Sequence, residues 1–112
     1  MLVIINSYNL IDGVDGLAGS IGVLVASFFA LLFLSQAKKA MDGDLNKIKN
    51  CIKITGFVNS TDDFTDQPKI INPASETLSA VFGNKGKHAR AAISTNSLPL
   101  GAAVEIDAIF EI

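Results

Sequence analysis

The chain has 112 residues, which is enough for one modest domain with a single core. Nine Lys and Arg stand against eleven Asp and Glu, for a formal net charge of −2. No cluster of basic residues provides the surface that nucleic acid needs, so we exclude that partner. A lone cysteine, Cys51, excludes an internal disulfide and is expected to be a small buried thiol. His88 has no second histidine or nearby cysteine, so no zinc site is predicted.

The character of the sequence changes near Ser35. Before that position the only formal charges are Asp12 and Asp15, whereas all nine basic residues and the other nine acidic residues follow it. Such a change is unusual inside one small domain. We therefore divide the chain into residues 1–36, which have the composition of a membrane protein, and residues 37–112, which have that of a globular domain.

The first part contains a long uncharged run. No residue from Leu17 to Ala37 carries a charge, and a helix of that length would extend roughly 30 Å at about 1.5 Å per residue. This matches the hydrocarbon thickness of a bilayer, and small residues such as Gly19 and Gly22 suit close packing of membrane helices. We predict a long apolar N-terminal helix, with membrane association through residues 17–37. The alternative is a helix buried on all sides in a protein core.

The segment INSYNLIDGVDGLAGS precedes this run, and from the residues alone DGVDG is a turn and a helix cap. The segment resembles the NxxNxxDGxDGLA motif of the polyprenyl-phosphate N-acetylhexosamine-1-phosphate transferases, which are membrane enzymes. The resemblance implies Mg²⁺-dependent transfer of a sugar phosphate, since carboxylates and amides suit a hard cation. The match is confined to residues 1–34 and therefore implies a fragment. The residues that would serve the reaction are Asn6, Asn9, Asp12 and Asp15.

The second part has the pattern of short strands and helices. The sequence CIKITGFV at 51–58 is rich in β-branched residues and predicts a strand. Asn72 and Pro73 suit the start of a helix, because asparagine is a good N-cap and proline fits the first turn. Apolar residues then repeat at helical spacing until Gly83, which is expected to end the helix.

Two further strands are predicted at 89–97 and 102–112, joined by the turn LPLG into a hairpin. The predicted fold class is α+β: a long apolar N-terminal helix followed by a β-α-β-β unit. Residues of the last strand alternate between an apolar and an acidic face. The apolar face has Val104, Ile106, Ala108, Phe110 and Ile112, and the other has Glu105, Asp107, Ile109 and Glu111. A solvated sheet surface is the ordinary explanation of such carboxylates, and a binding site is the alternative.

Short motifs run through the second part: ITGFV, FTDQPKIIN, HARAAI, LPLGAAVEI and EIDAI. Together they resemble, nearly end to end, the C-terminal half of the Rid/YjgF family, also called endoribonuclease L-PSP or reactive-intermediate deaminase. The resemblance implies a chorismate-mutase-like α+β fold, assembly into homotrimers and ligand clefts between subunits. It also implies hydrolysis of enamines and imines, such as 2-aminoacrylate, to ketoacid and ammonia. No cofactor or metal is implied, and the expected location is cytoplasmic.

The resemblance assigns roles to two residues. Arg90 matches the arginine that holds the substrate carboxylate, a task that suits a guanidinium because it forms two parallel charge-assisted hydrogen bonds. Glu105 matches the acid that positions or deprotonates the attacking water. In the predicted hairpin their backbones are on the order of 13 Å apart. We expect both side chains to line the same crevice.

The chain departs from the family pattern in two places. His88 stands where better-studied members have a proline before the Ala-Arg pair, which indicates a less characterised subfamily. The family's N-terminal strands have no counterpart in the predicted elements, because residues 1–36 take their position in the chain. The resemblance therefore implies a truncated domain.

Three function hypotheses follow. The first is a Rid-type enamine/imine deaminase, or a related small-metabolite-binding domain. The second is a fragment of the membrane transferase, and the third is an inactive chimera of the two. The transferase loop would be cytoplasmic and its helix would carry Ser35 to the other side, whereas Lys38 and Lys39 favour a cytoplasmic C-terminal end. This conflict favours a chimera over an evolved bifunctional protein.

Overall fold

The computed structural model describes residues 1–9 and 34–112. These residues form four strands and two helices, linked by loops and single turns of 3-10 helix. The strands are β1 (Leu2–Asn9), β2 (Asn50–Asn59), β3 (Ala89–Thr95) and β4 (Val104–Glu111). The helices are α1, described over residues 34–40, and α2 (Gln67–Phe82).

The four strands form one sheet in the order β1-β4-β2-β3. Both β1 and β2 are antiparallel to β4, whereas β2 and β3 are parallel. Parallel neighbours need a crossover connection, and α2 provides it between β2 and β3. The two central strands are therefore β4 and β2, and β3 is an edge strand held next to β2.

One face of the sheet is buried beneath α2. Residues of β4 alternate between buried and half-exposed along the whole strand, which confirms the predicted alternation. The buried face of β4 consists of Val104, Ile106, Ala108 and Phe110. Helix α2 contributes Ile71, Ala74 and Leu78 to the same core, at the spacing of one helical face. Ala37 of α1 and Met41 just after it belong to the same cluster.

The predicted start of the fold, a long apolar N-terminal helix, is wrong, whereas the β-α-β-β order predicted after it is that of β2, α2, β3 and β4. The chain begins with β1, which pairs with β4 along its whole length, so the N-terminal residues supply a strand of the same sheet. Ile5 is buried while Ile4 is 69% exposed, so a short apolar run here alternates as a strand does. The expectation that residues 1–36 provide no strand is therefore also wrong.

The predicted membrane helix at 17–37 has only its last four residues in the described part of the chain. Those residues belong to α1, and Ala37 is fully buried in the core. Within residues 1–9 and 34–112 no helix has both the length and the apolar character needed to cross a membrane. Residues 17–33 lie outside the described residues.

The predicted hairpin of the last two strands is also wrong, because β2 lies between β3 and β4. Both strands are tied to the end of β2: the Asn59 amide donates to the Ala103 carbonyl at 2.9 Å, and the Ser60 amide donates to the Thr95 carbonyl at 3.0 Å. The LPLG segment includes a 3-10 turn at Pro99–Gly101. The chain from β3 to β4 thus passes over the end of β2 instead of making a tight turn.

Helix α2 begins earlier than predicted. It starts at Gln67, with Pro68 in its first turn, where the missing amide hydrogen costs nothing. Pro73, expected at the start, lies inside the helix. The predicted end is confirmed, because Gly83 caps the helix with a φ of 59°, a left-handed value that glycine adopts without strain.

Gly56→Ala tests how closely α2 packs on the sheet. A Cβ at position 56 would overlap the Cδ1 and Cγ1 atoms of Ile71, so we expect the free energy of unfolding to fall by about 1–3 kcal/mol. Ile71→Ala opens a cavity in the core and should cost about 2–5 kcal/mol. In the double variant the new methyl group fills part of that cavity, so the two losses should not add. Urea unfolding measures all three free energies.

Val81→Ala is the control for these variants. Val81 is 47% exposed on α2, so its truncation should change stability by less than about 0.5 kcal/mol. Strictly additive losses in the double variant would show that positions 56 and 71 do not share one packing space.

Candidate functional site

Arg90 lies on the helix-covered side of β3. Its register partner on β2 is Ile54, which is fully buried beneath α2, and residues directly opposite each other on paired strands share a face. The Arg90 side chain is exposed at the rim of this face and reaches α2. Its Nη1 donates to Asn72 Oδ1 at 2.8 Å and to Ser75 Oγ at 3.3 Å.

His88 extends this contact. Its Nε2 lies 2.9 Å from Ser75 Oγ, and its Nδ1 lies 2.5 Å from the Gly86 carbonyl oxygen. A carbonyl oxygen only accepts, so Nδ1 carries a proton, and in the neutral form of the ring Nε2 accepts a hydrogen bond from the Ser75 hydroxyl. We refer to Asn72, Ser75, His88 and Arg90 as the Arg90 cluster.

Gly86 provides the last hydrogen-bond acceptor of the Arg90 cluster. It is buried, and a Cβ there would overlap the carbonyl group of Leu78 on α2. Only a glycine allows the chain to pass this close to the helix backbone. Its carbonyl is therefore a fixed acceptor for the His88 ring.

Glu105 lies on the opposite face of the sheet. Its register partner on β2 is Phe57, and its neighbours along β4, Val104 and Ile106, are both buried beneath α2. Because side chains alternate along a strand, the Glu105 carboxylate points away from the helix. On the same face, Glu111 Oε2 accepts from Asn50 Nδ2 at 2.9 Å.

The expected crevice shared by Arg90 and Glu105 is not formed within one chain. Their partners on β2, Ile54 and Phe57, are three positions apart, and an odd separation puts the two side chains on opposite faces. Because β3 and β4 lie on either side of β2, the two backbones are also on the order of 14 Å apart. The catalytic roles of Arg90 and Glu105 stay predictions.

Comparison with known proteins bears on the whole second part of the chain. A sequence model of the family described as Endoribonuclease L-PSP matches residues 30–112. The chain belongs to this family. A second model, Glycosyl transferase family 4, matches residues 1–46, which agrees with the resemblance seen in the N-terminal motif.

Individual relatives support the L-PSP assignment. Protein TCP17 of Trypanosoma cruzi is 44% identical over 92 residues, which are 81% of this chain and 57% of the relative, so the chain spans little more than half of that protein. The crystal structure of Atu1372 from Agrobacterium tumefaciens, a protein of unknown function, superposes with a TM-score of 0.82 at 38% identity, covering 99% of this chain and 76% of the other. Escherichia coli TdcF, solved with bound serine, shares the fold with a TM-score of 0.55 at 14% identity, covering 99% of this chain and 80% of the other.

Only two of the four residues of the transferase hypothesis, Asn6 and Asn9, lie in the described part of the chain. Asn6 and Asn9 belong to β1, where their register partners are Asp107 and Val104. Asp12 and Asp15 lie outside the described residues. In the ranges 1–9 and 34–112, no three His, Cys, Asp or Glu side chains are grouped so that they could hold a metal ion.

Cys51 is a buried residue of this L-PSP domain, as the sequence predicted. Burial raises the pKa of its thiol from 9.0 to about 11, partly offset by a hydrogen bond from the Lys53 backbone. A thiol that stays protonated at neutral pH is a poor nucleophile. We therefore assign Cys51 to the core and not to a site.

Sequence reasoning missed two members of the Arg90 cluster, Asn72 and Ser75. They are three residues apart on α2 and so lie on one side of it, next to the buried stripe that contains Ile71 and Ala74. This spacing alone was enough to predict a polar rim on α2. Their contact with Arg90 could not be predicted from the sequence, because it depends on the crossover that brings β3 beside β2.

The raised pKa of Cys51 predicts a pH dependence of stability. In the folded protein the thiol keeps its proton up to about pH 11, whereas in the unfolded chain it ionises near 9.0. Between these values the unfolded state binds fewer protons, so the free energy of unfolding should fall as pH rises. Cys51→Ala lacks this contribution. The stability of the natural chain relative to Cys51→Ala should therefore decline over that pH range in urea unfolding, and parallel stability curves would contradict the assignment.

Proposed function

We propose that the chain binds small carboxylate-bearing metabolites and hydrolyses enamines or imines, in clefts that combine Arg90 of one copy with Glu105 of a second. The observation that carries the proposal is the placement of these residues on opposite faces of one sheet. A single protomer cannot bring Arg90 and Glu105 into contact with the same small molecule. Two copies can, if the helix-side rim of one meets the open face of the other. Assembly into a homotrimer, as the family resemblance implies, would repeat this contact three times.

The open face of the sheet supports such an assembly. Besides its carboxylates it bears apolar residues that solvent reaches, including Ile4 at 69% and Ile93 at 47% exposure. Phe57 and Ile109 on the same face are half-buried. Exposed apolar residues that adjoin one another in a sheet indicate a contact surface. A second copy would cover them while adding its own Arg90 to the neighbourhood of Glu105.

The chemistry follows from the two side chains. The Arg90 guanidinium would hold the substrate carboxylate. Glu105 would take a proton from water as the water oxygen bonds to the imine carbon. Glu105 returns this proton to the nitrogen of the tetrahedral adduct, and the hydroxyl proton of the adduct follows as the C–N bond breaks. Ammonia leaves and a ketoacid remains, so one water is consumed for each ammonia released. An enamine first takes a proton on carbon and becomes the imine. No step needs an oxidant or a metal ion.

Serine bound to E. coli TdcF is in keeping with a small ligand that bears a carboxylate. The similarity to TdcF is otherwise one of fold alone. The transferase hypothesis, with Mg²⁺ at Asp12 and Asp15, rests on the match of residues 1–46 and stays a prediction. An inactive chimera is the outcome if the assays below detect neither binding nor hydrolysis.

Mixed oligomers test the proposed cleft. Arg90→Ala and Glu105→Gln should each lose 2-aminoacrylate hydrolysis, because every cleft then lacks one of its two groups. When the two variants are unfolded together and refolded, random mixing should restore both groups in roughly a quarter of the clefts of a cyclic trimer. Hydrolysis above the buffer rate measures the restored activity.

Lys85→Ala and Glu76→Gln are the controls, because they change charge at exposed positions of the same chain and should keep the natural rate. Equal rates for Arg90→Ala and the natural chain would remove Arg90 from the mechanism. Two inactive single variants whose mixture is also inactive would contradict a cleft shared between copies.

A further inference from the structure

We infer that Asn72, Ser75 and His88 are positioning residues, which hold the Arg90 guanidinium in one orientation and leave one of its edges for a planar carboxylate. The inference rests on the proposed function, which gives Arg90 an anionic ligand. It adds three residues that neither the sequence nor the family resemblance assigned to the site.

The hydrogens of the Arg90 guanidinium determine which of its edges is left for a ligand. Nη1 has two, and the structure provides two acceptors for them, Asn72 Oδ1 at 2.8 Å and Ser75 Oγ at 3.3 Å. Both acceptors are on one helix, so α2 holds the Nη1 end of the guanidinium. The opposite edge of Arg90 consists of the Nε hydrogen and one Nη2 hydrogen. Such an edge matches the two oxygens of a carboxylate.

The hydrogen bonds that join His88, Ser75 and Arg90 have a defined direction. His88 Nδ1 donates to the Gly86 carbonyl, so in the neutral form of the ring its Nε2 accepts a hydrogen bond from the Ser75 hydroxyl. The Ser75 oxygen then turns its lone pairs outward and can accept from Arg90 Nη1. Without His88 the Ser75 hydroxyl would be free to rotate and offer a hydrogen to the cation. The His88 ring therefore makes Ser75 an acceptor.

The support of these hydrogen bonds is rigid. The series of hydrogen bonds ends on Gly86, which is packed against the backbone of α2 at Leu78. Arginine has a long, flexible side chain, and holding it before the ligand arrives removes part of the ordering cost of binding. We therefore expect the cluster to affect affinity for a carboxylate even though Asn72 and Ser75 do not touch it.

Pyruvate is the probe, titrated into the 112-residue chain and followed by NMR. Ser75→Ala and Asn72→Ala should each weaken binding several-fold, and the double variant about tenfold, because charge-assisted hydrogen bonds are the stronger class. Ser75→Thr keeps the hydroxyl and should retain the affinity, whereas Ser75→Val, of the same shape without it, should not. Ser79→Ala, an exposed serine one turn further along α2, is the matched control.

A second measurement needs no ligand. The ¹⁵N shifts of the His88 ring should report a proton on Nδ1 in the natural chain, and this preference should weaken in Ser75→Ala but persist in Arg90→Ala. A merely structural role of Ser75 would not link the tautomer of His88 to the affinity for pyruvate.

The outcomes separate the two proposals. If Arg90→Ala binds pyruvate as well as the natural chain does, or if neither binds, the proposed function fails. If Arg90→Ala loses binding while Ser75→Val and Asn72→Ala keep it in full, the proposed function stands and the positioning inference is overturned. A His88 ring protonated on Nε2 in the natural chain would also overturn the inference.

Discussion

The position of β2 between β3 and β4 is the constraint on which the rest of the structure depends. One strand sets the register of both neighbours, so the faces of all three are fixed together. Arg90 is aligned with Ile54 and Glu105 with Phe57, and the odd separation of these partners puts the two charged groups on opposite sides. A one-residue slip of either neighbour would move every side chain of that strand to the other face. The buried alternation of β4 opposes such a slip.

The two faces of the sheet consequently bear different kinds of side chain. The face beneath α2 contains the core, and its rim at β3 is joined to the helix by polar contacts. Arg90 meets Asn72 and Ser75 there, and Ser94 accepts from Gln67 Nε2 at 2.6 Å. The other face has carboxylates among half-exposed apolar residues. The proposed site at Arg90 and Glu105 would therefore need two copies of the chain, so the proposed activity depends on assembly.

Local signals in the sequence predicted local structure well. The β-branched run of β2, the alternation of β4 and the end of α2 at Gly83 each depend on neighbours within a few residues. The pairing of strands that are distant in the sequence does not depend on such local neighbours. The polar turn after β3 suggested a hairpin, but hydrogen bonds from Asn59 and Ser60 instead direct the chain across the end of β2. The strand β1 was missed because its sequence resembles a motif from a different family, and Asn72 and Ser75 became part of a site only through the crossover.

Cross-strand nuclear Overhauser effects on labelled protein test the central constraint most directly. The strand order predicts contacts from the backbone of Ile54 to Arg90 on one side and to Ala108 on the other, and none between Arg90 and any residue of β4. Direct contacts between β3 and β4 would mean that these strands form a hairpin after all. Arg90 and Glu105 could then share a face of one chain, and the requirement for a second copy would be lost.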